Sequence, residues 1–302
     1  VNTPLSPEGA LGNFTPETHA IDGLYEYTLV LDVAFNGSAP LQVYREVFIA
    51  KDVVGVGVVN DGPAADIAFQ ESSTELAGNW AGIAVSGVTT SSYEVAYSED
   101  VASFPAVWTP AGPAGTSSFT IDSLALVDGA TYYFKVRALD DDGNIIAWQT
   151  SDGVTVDLVG PAGDTVRDGT DASGDLVWQV QNLAFAANWN AFVDPGSVDV
   201  DPLPASLTGS GVASYEMAVY QMAGAVAAPT TDPQVSAGFV NVGDVLVGEL
   251  SVAAGNLATL EHGSTYYAAV RAVDAVGNAG APVYSDGTTV DLNPPVAPMV
   301  TD

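Results

Sequence analysis

The sequence predicts an all-β protein built from tandem β-sandwiches, and three observations favour this fold class. The segment "GATYYFKVRALDDDGN" (129–144) recurs as "GSTYYAAVRAVDAVGN" (263–278). Both copies alternate apolar and polar residues at every second position, which is typical of half-buried antiparallel strands and puts Tyr133, Lys135 and Arg137 of the first copy on the outer face. Gly, Pro, Asp and Ser cluster between such segments at hairpin spacing, and no convincing amphipathic helix of about ten residues interrupts them. The two copies begin at residues 129 and 263, and this separation is close to the length of a small domain. The chain is therefore predicted to contain two copies of one module.

Segments on both sides extend the repeat. "SDGVTVDLVGP" (151–161) matches "SDGTTVDLNPP" (285–295) at the same offset, whereas "SGVTTSSYEVAY" (86–97) matches "SGVASYEMAV" (210–219) at a shorter one. The offset changes in jumps because loops absorb insertions and strands do not. We therefore predict a module at residues 61–157, a second module with longer loops at 158–293, and a linker or the start of a next module at 294–302.

Residues 1–60 are predicted to form an incomplete β module that holds only the last hairpin of the repeat. "GLYEYTLVLDVAFNG" (23–37) begins like the repeated Gly-x-x-Tyr strand, and "LQVYREVFIAKD" (41–52) can return as its partner. No Trp-bearing strand and no Tyr-Glu strand precedes them, and a hairpin alone is marginal in water. Two alternatives stay open: chain preceding this segment completes the module, or a neighbouring subunit adds the missing strands.

The repeated aromatic residues carry a family resemblance. A Trp on an early strand (Trp80, Trp189), a Tyr opening the next motif, and then Leu, Gly, Tyr, Val, Ala and Gly-Asn in order resemble the fibronectin type III sandwich. The Leu260-to-Tyr266 spacing, like its counterpart in the first copy, fits the corner where such sandwiches place a hydrogen-bonded Tyr. The wider pattern is similar to fibronectin type III-like and bacterial Ig-like tandem repeats of large secreted or cell-surface proteins. This resemblance implies Ig-like sandwiches, buried Trp side chains and an extracellular location.

The charge of the chain restricts its partners. Asp and Glu number 37 against 6 Lys and Arg, which gives a formal net charge of −31. Such a chain repels phosphate backbones and anionic membrane surfaces, so nucleic acid is not a predicted partner. No stretch of the sequence approaches the roughly 18 apolar residues that span a bilayer, so membrane insertion is not predicted either. Cysteine is absent, which excludes disulfides, thiolate metal sites and a cysteine nucleophile. A carboxylate-rich surface suits divalent cations.

Calcium is the one cofactor that the sequence suggests, and the acidic loops have two interpretations. Asp and Asn in "DDDGN" (140–144) and "DAVGN" (274–278) either cap tight turns or supply oxygen ligands to calcium. The resemblance implies that the F–G and B–C loops meet at the pole where the chain enters each module. The expected junction group of the second module is Asp157, Asp194, Asp199, Asp201 and Asp274. The corresponding group of the first module is Asp61, Asp140, Asp141 and Asp142.

Function is predicted to be mechanical rather than catalytic. No nucleophile elbow, P-loop or His-Glu-x-x-His motif occurs, and His19 and His262 lie in unrelated contexts. We predict a structural or adhesive segment of a long extracellular surface or filament protein, whose partners are further modules or other copies of itself, head to tail. The alternative is a carbohydrate- or protein-binding module beside a catalytic domain. In that case the outward Tyr133 and Tyr267 are candidate contact residues, and surface glycans are the candidate ligand. A hydrolase is the third alternative. Sequons at Asn13 and Asn36 suit glycosylation.

Overall fold

The computed structural model describes residues 57–85, 87–172, 174–195, 209–224 and 226–294, together with the backbone of two earlier strands. Those two strands are β1 (Leu24–Val33) and β2 (Leu41–Ala50). They pair antiparallel along their full length, with Leu24 opposite Ala50 and Val33 opposite Leu41. The predicted pairing of these segments is therefore confirmed, while the incompleteness of the module at 1–60 stays a prediction.

The first copy of the repeat contains nine strands in two sheets. They are β3 (Val58–Asp61), β4 (Phe69–Gln70), β5 (Glu75–Ala81), β6 (Ser92–Ser98), β7 (Thr109–Pro113), β8 (Ser118–Asp122), β9 (Thr131–Leu139), β10 (Ile145–Thr150) and β11 (Val154–Val156). One sheet has the order β3-β5-β8. In the other, β6 lies between β7 and β9, and both β10 and β11 pair with the edge of β9 that faces away from β6. The short β4 and β11 pair parallel.

The second copy repeats this arrangement strand for strand. Its strands are β12 (Val166–Asp168), β13 (Trp178–Gln179), β14 (Ala184–Trp189), β15 (Val212–Gln221), β16 (Val240–Gly243), β17 (Val247–Ser251), β18 (Thr265–Asp274), β19 (Val283–Tyr284) and β20 (Thr288–Val290). The sheets are β12-β14-β17 and β13-β20-β18-β15-β16, with β19 also on β18. The described residues form strands and turns without a helix, so the all-β fold class is confirmed. Likewise, the described part of the chain has no helix long and apolar enough to cross a bilayer.

The chain divides into two compact units. Unit 1 comprises residues 1–68, 74–125 and 131–154. Unit 2 comprises residues 69–73, 126–130 and 155–302. Unit 2 thus includes the whole second copy together with three segments of the first: residues 69–73, which contain β4, residues 126–130, and residues 155–157, which contain most of β11. The boundaries predicted at 60/61 and 157/158 stay a prediction.

The core of unit 1 forms between its two sheets, around Trp80 and Phe134. The Trp80 side chain is buried, as predicted, and meets the Tyr93 ring edge-on with centroids 5.5 Å apart. Phe134 on β9 lies against Gly78 on β5 so closely that a Cβ at Gly78 would be 2.3 Å from the Phe134 ring. Glycine is therefore required here for the sheets to approach each other.

The core of unit 2 has the same plan. Trp189 is buried and lies 5.5 Å from the ring of Tyr215. Tyr266 is buried, and its hydroxyl accepts a hydrogen bond from the backbone N–H of Glu261 at 2.9 Å. This is the corner contact that the Leu260-to-Tyr266 spacing predicts.

Two residues predicted to lie on the outer face are buried. Lys135 has no exposed surface, because the loop after β6 covers it and Val101 O accepts a hydrogen bond from its Nζ at 2.7 Å. Tyr267 is also fully buried, and its hydroxyl donates to Asp232 at 3.0 Å. Period-two alternation identifies the sheet face correctly, but it carries no information on loops that fold over that face.

Candidate functional site

Three buried aspartates converge in unit 2, and we call them the buried triad. Asp157 follows β11, Asp194 lies in the loop after β14, and Asp274 ends β18. Each is no more than 3% exposed, and one carboxylate oxygen from each lies within 4.8 Å of the others. The sequence placed these three residues together. The two other members of that predicted group, Asp199 and Asp201, lie outside the described residues, as do Asn13 and Asn36.

Backbone amides hold the buried triad in place. The N–H groups of Ser210 and Gly211 donate to Asp157 Oδ2 at 2.7 Å and to Asp194 Oδ2 at 2.5 Å. Asp274 Oδ1 accepts from the N–H of Gly277 at 2.7 Å. These donors carry only partial charges, so they orient the carboxylates without neutralising them.

Burial raises the pKa of Asp194, and the negative charges of Asp157 and Asp274 raise it further. Like charges this close disfavour simultaneous ionisation unless a proton or a cation joins them. The arrangement can therefore bind a proton or a hard cation, and carboxylate oxygens are the ligands that calcium prefers.

The structure does not bring together the group predicted for the first module. Asp61 ends β3, and its Oδ2 accepts from the N–H of Gly153, which follows β10. That places Asp61 beside the middle of β9, where Ser151 bonds the backbone of Phe134. Asp140 follows the far end of β9, six residues or about 20 Å beyond Phe134. The prediction put Asp61 at the wrong pole, because β3 carries the chain away from the pole where it enters.

In the turn after β9, Asp140 acts as the turn-capping residue of the first interpretation. Asp140 Oδ1 accepts from the N–H groups of Asp142 at 3.0 Å and Asn144 at 2.8 Å, and Oδ2 accepts from the Asn144 amide at 3.0 Å. The hydrogen bonds from Asn144 hold the pKa of Asp140 below its ordinary value. Asp141 and Asp142 are exposed. Among the described residues, none of these three belongs to a group of converging carboxylates.

Two further acidic groups occupy equivalent positions in the two copies, and neither was predicted as a group from the sequence. The first-copy triad is Asp61, Asp66 and Asp152. The second-copy triad is Asp168, Asp175 and Asp286. In each, one buried Asp is joined by two exposed ones whose oxygens lie within 4.8 Å. The signal was available: both buried members precede a Gly, and "SDG" recurs at 151–153 and 285–287.

Each buried member of these triads is held by the same two contacts. Gly153 N–H donates to Asp61 Oδ2 at 2.8 Å, and Gly287 N–H donates to Asp168 Oδ2 at 2.8 Å. The backbone N–H of Asp61 donates to Asp66 at 3.0 Å, and that of Asp168 donates to Asp175 at 2.9 Å. Burial raises the pKa of Asp61 to about 6 and that of Asp168 to about 7.

The described basic side chains are engaged elsewhere. Arg137 and Arg271 form ion pairs with Glu94 and Glu216. Lys135 bonds Val101 O, and Arg167 donates to Asn190 Oδ1 at 3.3 Å. Within the described residues, no salt bridge involves a member of the three triads. Among the described residues, no basic side chain therefore neutralises these carboxylates.

Aromatic residues cluster on the outer face of unit 1. Phe104, which is 49% exposed, lies 5.1 Å from the ring of Trp108 and 5.8 Å from that of Trp148. The Arg137 guanidinium lies 4.5 Å above the Trp108 ring. The cluster offers a partly exposed aromatic surface beside a cation–π pair.

His262 is the histidine that the structure describes. Its Nδ1 accepts a hydrogen bond from the Leu292 N–H at 3.1 Å, and its Nε2 lies 2.7 Å from the Asn293 amide nitrogen. It therefore fastens the end of the second copy to the preceding turn.

No family model matches the chain, and no curated protein matches it. Among solved structures, the chain is similar to the FN1–FN3 domains of chicken CNTN1, with 14% sequence identity and a TM-score of 0.35. The likeness covers 88% of this chain and 77% of that chain. The neighbour is itself a tandem of fibronectin type III domains, whereas the all-β fold of this chain is established by its own strands and sheets.

Proposed function

We propose that this chain is a structural or adhesive segment of a long extracellular surface or filament protein. The modules form a stiff tandem array, and their partners are further modules or other copies of the chain. Support comes from the two successive copies of one strand arrangement. The residues that recur in both copies pack the cores or form turns, as we expect for a repeated mechanical unit.

The observation that carries the proposal is the set of hydrogen bonds that hold residues 157–162 against other parts of unit 2. Ala162 and Val193 exchange backbone hydrogen bonds at 2.9 and 2.8 Å. Asp157 O accepts from the Asn278 amide at 2.9 Å, and the Leu158 N–H donates to Asp128 at 2.8 Å.

A close backbone contact also holds this segment in place. A Cβ at Gly280 would lie 1.8 Å from Pro161 O, so the backbones of these two residues touch. These bonds all lie within unit 2, and we propose that they stiffen the segment that follows the first copy of the repeat.

We further propose that calcium binds the buried triad, with Asp199 and Asp201 as additional ligands. The ion would neutralise part of the −31 charge and hold Asp157 against Asp194 and Asp274.

The extracellular location can be tested on the organism that makes the protein. Antibodies against residues 61–293 are applied to intact cells and to permeabilised cells. Labelling of intact cells or of shed fibres is expected. Labelling that appears only after permeabilisation would contradict the proposal.

A second candidate function, carbohydrate binding, is favoured by the exposed Phe104 over Trp108 and Trp148. Stacking of sugar rings on aromatic side chains is the physical basis. The test is a glycan-binding screen with the intact chain and with Phe104→Ala. Binding that is lost in this variant would favour the second candidate over the first. A β-sandwich fold hosts many unrelated roles, so absence of enzymatic activity stays a prediction.

A further inference from the structure

We propose that a second copy of this chain binds to an exposed apolar strip of unit 2, so that two chains associate through identical surfaces. The apolar strip comprises five side chains within eight consecutive residues: Leu176, Val177, Trp178, Val180 and Leu183. The proposal rests on the proposed function, in which other copies of the chain are partners, and it names the surface that those partners use.

The first observation is the exposure of these side chains. All five are exposed, and the exposed fractions of Val180 and Trp178 are 85% and 60%. Gln179 between them is buried, so Trp178 and Val180 share the open side of the backbone. A group of large apolar side chains in water is typical of an interaction surface.

The second observation is the place of the apolar strip in its sheet. It surrounds β13, which is the terminal strand of that sheet in the described part of the chain. One edge of β13 pairs with β20, with Trp178 opposite Thr289. Soluble proteins ordinarily protect the other edge of such a strand with charged residues, which keep further chains away. Residues 176–183 contain no charged residue, so this protection is missing from the strip itself.

The first copy of the repeat provides an internal comparison, because β4 is the counterpart of β13. Both strands accept a hydrogen bond at the same place: the Asp157 N–H donates to Gln70 O at 2.9 Å, and the Asp291 N–H donates to Gln179 O at 2.8 Å. The residues that follow the two strands can therefore be compared position by position.

This comparison shows that the fold does not require an apolar strip. The first copy has Glu71 where the second has Val180, and Thr74 where the second has Leu183. All four of these residues are exposed, so none of the differences fills a core. A charged or polar residue satisfies the fold at these positions, and the apolar residues of the second copy therefore point to a partner.

The charge of the chain favours a second copy as that partner. Two chains that each carry a formal charge of −31 repel where their carboxylates meet, and they approach at least cost where both surfaces are uncharged. A surface that binds its own copy gives a closed two-fold pair, which is the commonest symmetry of homo-oligomers.

The area of the apolar strip indicates how strong this association is. The exposed parts of the five side chains offer roughly 500 Å², so a symmetric pair would bury about 1,000 Å² in total, close to the lower limit for a specific interface. We therefore expect a reversible dimer whose population depends on concentration, rather than a permanent one.

Sedimentation equilibrium of the full chain over a wide range of concentration tests the association. Val180→Asp places a carboxylate in the apolar strip, and Val107→Asp places one at a residue of unit 1 that is 81% exposed. We expect a monomer–dimer equilibrium for the unaltered chain and for Val107→Asp. Val180→Asp should weaken the dimer about tenfold or more, because two-fold symmetry brings two new charges into the contact. Higher salt should strengthen the dimer of the unaltered chain, since it screens the repulsion between the carboxylates.

A charge-reversal experiment tests whether the apolar strip faces its own copy. A mixture of Val180→Asp and Val180→Lys should dimerise more tightly than either variant alone, because opposite charges then meet across the contact. A mixture of Val107→Asp and Val107→Lys is the control, and it should associate as the unaltered chain does.

Three results would overturn the proposal: a chain that stays monomeric at every concentration and salt, a Val180→Asp variant that dimerises as well as Val107→Asp, or a Val180 mixture that gains nothing. Each would leave the apolar strip to another occupant, such as residues 295–302 or an unrelated protein. These results do not affect the antibody test of location. The failure of this inference can therefore be told apart from the failure of the proposed function.

Discussion

The carboxylate of Asp61 accepts a hydrogen bond from the backbone N–H of Gly153, and Asp168 makes the same contact with Gly287, each at 2.8 Å. In both copies an aspartate at the end of the first strand thus fastens the turn that precedes the last strand. Gly153 and Gly287 have φ angles of 106° and 107°, a conformation that residues with a side chain rarely adopt. The contact closes each module between its first and last strands.

Because these two carboxylates are buried, we expect the metal-free chain, kept in chelator, to lose stability as the pH rises. An unfolded Asp titrates near 3.8, whereas the folded pKa of Asp61 is raised to about 6 and that of Asp168 to about 7. Between these values the folded chain holds more protons than the unfolded chain, so the free energy of unfolding falls as pH rises. We expect a higher melting temperature at about pH 5 than at about pH 7.5.

The variant Asp168→Asn separates this effect from general charge repulsion. It should reduce the slope of melting temperature against pH, whereas Asp142→Asn should leave the slope unchanged. Melting curves in chelator at high salt, where surface repulsion is screened, are the measurement. A melting temperature that rises steadily from acid to neutral pH would contradict the burial argument.

The contact between Gly78 and Phe134 predicts a large effect of one methyl group. In Gly78→Ala the new Cβ would lie 2.3 Å from the Phe134 ring, so the sheets of unit 1 must separate or Phe134 must leave its rotamer. Overpacking of this kind costs about 1–3 kcal/mol of unfolding free energy. Gly115→Ala is the control, because nothing lies within 4 Å of its new Cβ. Urea denaturation followed by Trp fluorescence should show the loss for Gly78→Ala alone; equal midpoints for the two variants would refute this.

The hydroxyl of Tyr266 predicts a smaller loss in unit 2. Tyr266→Phe removes the acceptor of the Glu261 N–H and should lower the unfolding free energy by about 1–2 kcal/mol. Tyr284→Phe is the matched control, since the Tyr284 ring lies at the surface and is 37% exposed. Chemical denaturation of both variants measures the difference. If Tyr266→Phe unfolds no earlier than Tyr284→Phe, the corner contact contributes nothing.

The fold could be predicted from the sequence because the repeat gives two copies of each strand pattern. The matched positions of Trp80 and Trp189 indicated burial in the cores, and the loop topology that the family resemblance implies brought Asp157, Asp194 and Asp274 together. The grouping of Asp61 with residues 140–142 was wrong because strand direction decides at which pole a residue lies, and the sequence pattern does not record that direction. The burial of Lys135 and Tyr267 could not be predicted, since the loops that cover them have no periodic signal.

If calcium binds the buried triad, we expect the ion to stiffen residues 157–162. Small-angle scattering of the full chain in calcium and in chelator is the decisive measurement, with Asp194→Asn and the control Asp142→Asn beside it. Chelation should broaden the distribution of particle dimensions for the unaltered chain and for Asp142→Asn. Asp194→Asn should show the broad distribution in both conditions. Identical scattering of the unaltered chain with calcium and with chelator would show that no such stiffening occurs.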